Sequence, residues 1–365
     1  MTATLRIVSP GLMTTVQDCG RPGYQRQGIP VSGAMDIVSL TAANLLVGND
    51  PSAAVLEIAY QGPTLTIETD SVRVAFAGGQ AAIEIVSDGA PPQRLPVLQS
   101  HRLERGQTLR IGALSGSSVG YLAIEGGFDI APFIGSLSTY VRGSLGGWKG
   151  RALAAGDALP LKRETTDVRE EHMLPQLDLA PARAIRVVLG PQDDYFTQES
   201  IRTFLSSRYT VSGAADRMGM RLDGPALEHA KGFDIVSDGI APGSVQVPGT
   251  GVPIILLADR QTTGGYPKIA TVISADLPAA GRLAPGAVVS FEAVSIETAE
   301  KLRGELSAML EGLAAHLVPV ARTAIIDEGK LMSSNLVSGV VYGHNGEDAD
   351  HEPWLLAAQA PSGAH

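Results

Sequence analysis

The chain has 365 residues, of which 44% are hydrophobic and 18% are charged, with 42 glycines and 23 prolines. This length exceeds the usual size of one hydrophobic core, so we expect two packed domains, and the many turn residues favour β structure over helices. The formal net charge of −10 argues against nucleic acid and anionic membranes as main partners, because both select basic surfaces.

Short apolar runs with period-two alternation fill the first part of the chain, at residues 65–67, 72–76, 83–86, 109–111 and 119–124. Such runs, separated by turn residues, predict β-strands. One early helix is predicted over residues 37–47, with Asp36 as its N-cap and Gly48 at its end.

Residues 162–183 are charged, contain proline and show little periodicity, which is typical of a connection between domains. Strand patterning then resumes at 185–189 and continues to 288–291. We therefore expect a first β-rich domain at 1–165, a linker and second domain at 166–295, and a C-terminal helix with a flexible tail at 296–365. The helix is predicted to be amphipathic and to pack on the body or on a partner, and the tail from residue 345 onward is expected to be mobile.

A short repeat suggests that the two domains are related. Residues 31–36 (VSGAMD) match residues 211–216 (VSGAAD), and residues 62–65 (GPTL) match residues 224–227 (GPAL). The spacing differs, since the first copy has the predicted helix between its two pieces. We expect the two VSGAxD segments to occupy equivalent positions in two related domains.

The most polar segment beside apolar runs is the loop at residues 259–268, DRQTTGGYPK. Two buried strands are predicted to flank it, and a loop held in this way is a good candidate binding site. Gly264 and Gly265 allow backbone N–H groups to approach an anion closely. The alternative is an ordinary hairpin loop in which Asp259 and Arg260 pair with other loops.

Three further clusters combine carboxylates with cations or aromatic groups. At residues 17–24 the alternative to a binding role is a direct, structural Asp18–Arg21 salt bridge. At residues 216–219 the alternative is a buried Asp–Arg pair. At residues 190–196 either aspartate would serve as the cap of a helix predicted at 197–205. The candidate binding residues of these clusters are Asp18, Arg21, Tyr24, Gln192, Asp193, Asp216 and Arg217.

Several common catalytic signatures are missing from the sequence. It contains no P-loop, no G-x-G-x-x-G after a strand, no H-E-x-x-H and no G-x-S-x-G. The single cysteine, Cys19, has no histidine near it in sequence, so we expect neither a disulfide nor a thiolate nucleophile. No signal peptide and no long apolar run are found, so a cytoplasmic location is expected.

Five segments resemble the signature segments of a known family: VQDCGRPGYQRQGIPVSGAMD, GPQDDYF, ADRMGMRLDGPAL, SDGIAPGSVQVPG and LLADRQTTGGYPKIATVISADLP. They occur in the family's order between about residues 5 and 291. The family is that of biotin-dependent carboxyltransferases and allophanate hydrolase subunit 2-like proteins. It includes the C subunit of bacterial 5-oxoprolinase, subdomains A and B of the urea carboxylase carboxyltransferase domain, and an antagonist of a sporulation-kinase inhibitor.

The resemblance implies a mainly β fold of two cyclophilin-like β-barrel domains, here with a C-terminal helical extension. A free-standing chain of this length is similar to the C subunit of 5-oxoprolinase, whose partners are an A subunit, with a barrel-type fold, and a smaller cyclophilin-like B subunit. That complex converts 5-oxo-L-proline, ATP and two waters into L-glutamate, ADP and phosphate. ATP with Mg²⁺, bound in part by a partner chain, is the implied cofactor. No covalent biotin is expected, because Ala34-Met35-Asp36 lacks the lysine of a biotin-attachment sequence.

For such chemistry we expect Asp259, Arg260 and Lys268 to be catalytic. The cations would bind anionic oxygens, and Asp259 would orient one of these cations or bind a metal. Two other functions remain open, since the loop itself does not discriminate between them: one chain of a biotin-dependent carboxyltransferase, and a non-enzymatic regulator of a kinase-inhibitor-like partner. The remaining residues expected to bind substrate lie in the same loop: Gln261, Thr262, Thr263, Gly264, Gly265 and Tyr266.

Overall fold

A computed structural model describes residues 3–180 and 184–320, and the tail predicted from residue 345 onward lies outside these residues. The described part is mainly β, as predicted, and contacts group the chain up to Val320 into one compact unit. None of its helices is both long and apolar enough to cross a membrane.

The N-terminal half, residues 3–161, forms two sheets around one core. Their orders are β11-β1-β4-β9-β6-β7 and β2-β3-β10-β5-β8. The elements are β1 (Thr4–Ser9), β2 (Met13–Gln17), α1 (Ile37–Val47), β3 (Val55–Ala59), β4 (Thr64–Ile67), β5 (Ser71–Ala77), β6 (Gln80–Val86), β7 (Gln93–Leu95), β8 (Ser100–Glu104), β9 (Thr108–Ser115), β10 (Val119–Ile124) and β11 (Ala158–Pro160).

The five-stranded sheet is buried on both faces, and the sequence of β5 explains how. Val72, Val74 and Phe76 point into the core between the sheets, whereas Ala75 and Ala77 lie in the cluster that contains α1. Because alternate residues of a strand face opposite sides, large side chains fill the core on one face and small ones let the helix pack on the other.

Helix α1 begins and ends where the sequence predicts. The Asp36 carboxylate accepts hydrogen bonds from the backbone N–H groups of Val38 and Ser39, and Gly48 ends the helix in a left-handed conformation with φ 79°. Both features satisfy backbone groups that a helix end leaves unpaired.

The connecting segment runs along the N-terminal half. The Arg73 guanidinium, fully buried in β5, binds Glu171 at 2.9 Å and also binds Glu125. The short strand β12 (His172–Met173) follows in the same segment. These contacts show that the charged residues of the predicted linker attach it to the preceding sheet.

The second half, residues 184–293, forms a closed barrel, referred to below as the barrel. Its strand order is β13-β20-β17-β18-β15-β14-β21, and β16 pairs with β19 beside it. The elements are β13 (Ala184–Leu189), α2 (Gln198–Ser206), β14 (Tyr209–Ala215), β15 (Gly219–Asp223), β16 (Asp238–Gly239), β17 (Ser244–Gln246), β18 (Ile254–Leu256), β19 (Thr263–Gly264), β20 (Lys268–Val272), α3 (Leu277–Gly281) and β21 (Val288–Ala293).

The two VSGAxD segments do not have equivalent local structures, so that prediction is wrong. Residues 211–215 belong to strand β14, whereas residues 31–36 form a loop that leads into α1. Ser32 and Gly33 have φ values of 56° and 86°, which a strand does not accommodate. The short sequence match therefore does not mark corresponding positions.

The amphipathic C-terminal helix is present as α4 (Ile296–Gly312), and strand β22 (Val318–Pro319) pairs with β12. Leu313, just after the helix, is 5% exposed and belongs to the cluster around α1. No residue of α4 itself is buried, so the chain contacts the body just after the helix, and packing of the helix on the body or on a partner stays a prediction.

Candidate functional site

A cavity of about 390 Å³ lies between the N-terminal half and the barrel. This volume is within the range of small-molecule sites, which are mostly apolar with a few placed polar groups. Its walls fit that description. Apolar side chains such as Met35, Val119 and Met220 supply much of the lining, and the charged residues that line it are Glu57, Arg142, Asp216, Arg217 and Asp259.

An ion triad at one wall joins the two halves. Arg217, from the turn between β14 and β15, donates from Nε to Asp259 Oδ2 at 2.8 Å and from Nη2 to Oδ1 at 3.0 Å. Its Nη1 donates to Glu57 Oε1, and Nη2 also donates to the Gly33 carbonyl at 2.7 Å. Glu57 and Asp259 are only 3% and 5% exposed, so the guanidinium is the counter-ion of two buried carboxylates.

The charges of the triad leave one negative charge, because two carboxylates face one guanidinium. Burial lowers the pKa of Arg217, but the adjacent Glu57 and Asp259 outweigh this effect and raise it overall. Arg217 therefore stays charged at every physiological pH.

A buried tyrosine completes the support of Glu57. Tyr121 Oη donates to Glu57 Oε2 at 2.8 Å, and the backbone N–H of Met35 donates to the same oxygen at 2.9 Å. Tyr121 Oη in turn accepts from the backbone N–H of Asp36 at 2.8 Å. Burial, followed by the nearby Glu57 and Asp36, raises the pKa of Tyr121 well above its usual value, so the phenol remains a donor.

A second ion pair crosses between the halves at the same cavity. Arg142 Nη2 lies 3.1 Å from Asp216 Oδ2, and both side chains are more than half exposed. The other carboxylate oxygen, Oδ1, accepts from the backbone N–H of Met218 at 2.8 Å. Exposed pairs of this kind are weak, so they open at little cost.

The three residues predicted to be catalytic do not share one set of contacts. Asp259 joins the triad, whereas Arg260 donates to the carbonyls of Ile240 at 3.1 Å and Leu257 at 3.3 Å. Burial lowers the pKa of Arg260 to about 10, against the effect of neighbouring Asp259. Asp259 therefore pairs with a residue of another loop, Arg217, as expected for an ordinary hairpin loop. Arg260 forms no such ion pair among the described residues.

Lys268 belongs to a separate polar cluster of the barrel. Its side chain is 1% exposed, and Nζ lies 3.2 Å from Oδ2 of the half-exposed Asp238. Gln192 Nε2 donates to the same carboxylate oxygen at 3.3 Å, and Gln192 Oε1 accepts from the Lys268 backbone N–H at 3.1 Å. Gln261 Nε2 donates to Gln246 Oε1 at 3.3 Å, and Gln246 is the strand partner of Lys268.

The rest of the predicted loop acts mainly through its backbone. Thr263 and Gly264 pair with β16, the Thr262 carbonyl accepts from Ile240, and the Gly265 carbonyl accepts from Ile235. A Cβ at Gly264 would lie 2.7 Å from Ile240 Cδ1 and from Gln246 Nε2, so the ends of these two side chains would have to shift. Tyr266 is 41% exposed.

Asp18 and Arg21 do not form the direct salt bridge that was the structural alternative to a binding role. The Asp18 carboxylate accepts from Ser136 Oγ at 2.6 Å and from the Leu137 backbone N–H at 2.6 Å. The buried Arg21 guanidinium donates to the carbonyl of Ser138. Both residues therefore hold the same neighbouring loop, and Tyr24, which is 36% exposed, begins a short 3₁₀ turn beside them.

The predicted aspartate cap of α2 is also wrong. Thr197 Oγ1 accepts from the backbone N–H of Ser200 and caps the helix, while Asp193 begins a 3₁₀ turn just before it. The Asp194 carboxylate instead accepts a hydrogen bond from Lys231 Nζ. The predicted Asp–Arg pair at 216–217 is divided, since Arg217 binds Asp259 and Asp216 binds Arg142.

Sequence reasoning missed Glu57, Tyr121, Arg142 and Asp238. For Glu57 a signal exists, since it is the one charged residue of β3, VLEIA, and a charge within a buried strand needs a partner. Tyr121 lies in the predicted strand at 119–124 and Asp238 in the signature segment SDGIAPGSVQVPG, but neither sequence context names a partner, and Arg142 has no local signal at all.

The described ranges, 3–180 and 184–320, contain no group of three or more His, Cys, Asp or Glu side chains placed to hold a metal ion. The cavity instead offers paired carboxylates, a fixed guanidinium and apolar walls. This arrangement suits a compact polar ligand and the positioning of a water molecule.

Known proteins share this architecture. The family model described as "Carboxyltransferase domain, subdomain A and B" matches residues 27–293. The 5-oxoprolinase C subunit of Escherichia coli (strain K12) is 38% identical over 316 residues, which cover 86% of this chain and 98% of the relative. The urea amidolyase of Lachancea kluyveri is 33% identical over 332 residues, covering 84% of this chain and 18% of that protein.

A solved structure agrees with the sequence comparisons. The K. lactis urea amidolyase matches with a TM-score of 0.78 at 29% identity, over 86% of this chain and 20% of that chain. The chain belongs to the carboxyltransferase-domain family of subdomains A and B. It is similar to the bacterial 5-oxoprolinase C subunit over nearly the whole of that protein, and it spans about one fifth of the urea amidolyases.

Proposed function

We propose that this chain is the C subunit of an ATP-dependent 5-oxoprolinase, which acts with an A-type and a B-type subunit. The observation that carries this proposal is coverage: the match extends over 98% of a relative named as a separate subunit, against 18% of a urea amidolyase. We place the complex in the cytoplasm.

The reaction breaks the amide C–N bond of the five-membered lactam of 5-oxo-L-proline. Water supplies the hydroxyl to the carbonyl carbon and a proton to the nitrogen, and ATP hydrolysis to ADP and phosphate drives the opening. The lactam is a stable amide and a poor electrophile, so an activated oxygen and a well-placed water are both needed.

In this scheme Asp259 orients the attacking water. Arg217 holds both of its oxygens, at 2.8 and 3.0 Å, and an ionised carboxylate retains further acceptor positions for a water proton. Glu57 has a supporting role, since it fixes Arg217 and thereby the plane of the Asp259 carboxylate. The apolar walls limit the access of other water molecules.

The residues of the cavity do not fit a nucleoside triphosphate. Its charged lining has three carboxylates against two guanidiniums, and Arg217 already directs four hydrogen bonds to protein groups. We therefore assign ATP and Mg²⁺ to surfaces that the partner chains complete, and we derive no step through ATP for this chain.

The test is reconstitution with purified A-type and B-type subunits. We expect glutamate release from 5-oxo-L-proline only when all three chains and ATP are present, and a loss of more than tenfold with Asp259→Asn. Arg202→Gln, on an exposed ion pair of α2, is the matched control and should retain full activity. Release at the same rate without this chain would refute the proposal.

Carboxyl transfer is a second candidate, favoured by the family description and by the TM-score of 0.78 to a urea amidolyase. The same cavity would then accept a carboxyl group from carboxybiotin on another chain. Avidin distinguishes the two functions, because it would abolish carboxyl transfer and leave ATP-dependent glutamate release unchanged.

A further inference from the structure

A second, smaller cavity adjoins the first. It has a volume of about 130 Å³, and Met35 and Leu257 line both spaces. A single buried water needs only about 10–15 Å³, so this cavity has room for a small organic group. Adjacent residues of one loop serve the two cavities, since Asp259 lines the larger one and Arg260 lines the smaller one.

The guanidinium in the small cavity has no carboxylate partner among the residues that the structure describes. Arg260 is 4% exposed, and its hydrogen bonds go to the two backbone carbonyls of Ile240 and Leu257. The nearest acidic neighbour in sequence, Asp259, directs both of its oxygens to Arg217. A buried charge without an opposite charge is costly to fold, so its retention calls for a ligand that pairs with it.

A second group in the same cavity is also incomplete. Ser32 is 6% exposed, and its hydroxyl has no hydrogen-bond partner within the described ranges. Ser32 has φ 56°, a left-handed conformation that serine rarely adopts. Ser32 and Arg260 line the same space, so a ligand bound there lies beside an unpaired hydroxyl donor.

We propose that this small cavity binds the carboxylate group of a small organic acid, held by the Arg260 guanidinium and the Ser32 hydroxyl. Both groups donate to a carboxylate, and neither has an anionic partner in the described residues. The remaining walls, which include Val31, Pro242 and Leu277, are apolar and exclude larger hydrated anions.

The identity of the acid rests on the proposed function. In a 5-oxoprolinase, the carboxylate is that of 5-oxo-L-proline, and its lactam ring lies toward the adjoining cavity that contains Asp259. Charge separates the two tasks: the small cavity supplies the positive charge for the carboxylate, and the acidic cavity places the water.

The experiment is a ligand-observed NMR titration of the full-length chain with three probes: 5-oxo-L-proline, acetate and the neutral lactam 2-pyrrolidinone. We expect 5-oxo-L-proline and acetate to compete for one site. Arg260→Met should weaken both at least tenfold, the effect of losing a charge-assisted contact, and should leave 2-pyrrolidinone unchanged. Arg202→Met is the surface control and should bind like the wild type.

Ser32→Gly provides an independent variant, because glycine tolerates the left-handed backbone and the substitution removes the hydroxymethyl side chain without straining it. This variant should bind acetate and 5-oxo-L-proline severalfold more weakly, and its melting temperature should be equal to or higher than that of the wild type. A structural role for Arg260 predicts the opposite of our expectation: a large fall in melting temperature in Arg260→Met, with unchanged anion binding in Ser32→Gly.

The outcomes separate the two proposals. Acetate binding that depends on Arg260 and Ser32, without binding of 5-oxo-L-proline, supports the carboxylate site and removes the proposed substrate. Two results would overturn the carboxylate site: both variants bind acetate and 5-oxo-L-proline as tightly as the wild type, or the wild type binds neither anion. This conclusion would hold regardless of the activity of the reconstituted complex.

Discussion

Replacing Arg217 by methionine is the sharpest test of the triad. The change removes four hydrogen bonds and leaves Glu57 and Asp259, 3% and 5% exposed, without their counter-ion. Breaking a buried ion pair by removing one partner costs about 3–5 kcal/mol. Counting two charge-assisted contacts at about 1.5–3 kcal/mol each gives a similar range.

The melting temperature of Arg217→Met should fall by about 6–20 °C, since each kcal/mol shifts it by about 2–4 °C in domains of 150–250 residues. The deficit should narrow between pH 7 and pH 5. An unpaired buried carboxylate has a raised pKa in the folded state, so its penalty is present at high pH and disappears as the group binds a proton.

Calorimetry or circular dichroism on three proteins measures these effects. Arg202→Met removes an exposed guanidinium and should cost less than about 0.5 kcal/mol. The triple variant Glu57→Gln, Asp259→Asn, Arg217→Met removes every charge of the triad and should recover part of the lost stability. A deficit below about 1 kcal/mol for Arg217→Met alone, or one that does not change with pH, would refute this account of the triad.

Three further outcomes are expected. Cys19 is exposed, but partial desolvation of its thiol and the neighbouring Asp18 and Asp50 raise its pKa to about 11. Iodoacetamide should therefore alkylate it far more slowly at pH 8 than free cysteine, and Cys19→Ser should retain glutamate release in the complex. Arg151 binds Asp157 through two bonds of 2.7 Å and holds the pKa of that carboxyl below its usual value. The stability from this pair is present above about pH 4 and lost below it, so Arg151→Gln should lose less melting temperature than the wild type between pH 5 and pH 3. Co-expression with a B-type subunit should give a complex in native mass spectrometry, and separate species alone would contradict the partner proposal.

The features that follow from local rules were predicted well. The boundaries of α1 follow from an aspartate cap and a left-handed glycine, and both are visible in the sequence. Strand β5 is recognisable from its apolar run. The closed order of the barrel is not visible in this way, because parallel pairing of β13 with β21 joins segments about a hundred residues apart.

The candidate site divides along the same line. The loop at 259–268 stands out because its polar residues lie between apolar strands. The partners of that loop do not: Arg217 pairs with Asp259 across 42 residues and with Glu57 across 160. The Asp18–Arg21 pair, the alternative considered from sequence, shows the opposite case: the two residues are close in sequence, but both bind residues 136–138 instead of each other.

In the buried ion pairs that the structure describes between the two halves, the acidic residues all come from one half and the basic residues all come from the other. The N-terminal half contributes the carboxylates of Asp36 and Glu57, and the barrel side contributes the guanidiniums of Arg282, 2.7 Å from Asp36, and Arg217. If the gene were split between the halves, one fragment would expose the two carboxylates and the other would expose the two guanidiniums that pair with them. Neither fragment would satisfy these groups alone, and each would attract the other selectively when co-produced. The junction thus resembles an obligate protein–protein interface, since its buried charges are paired only when both halves are present.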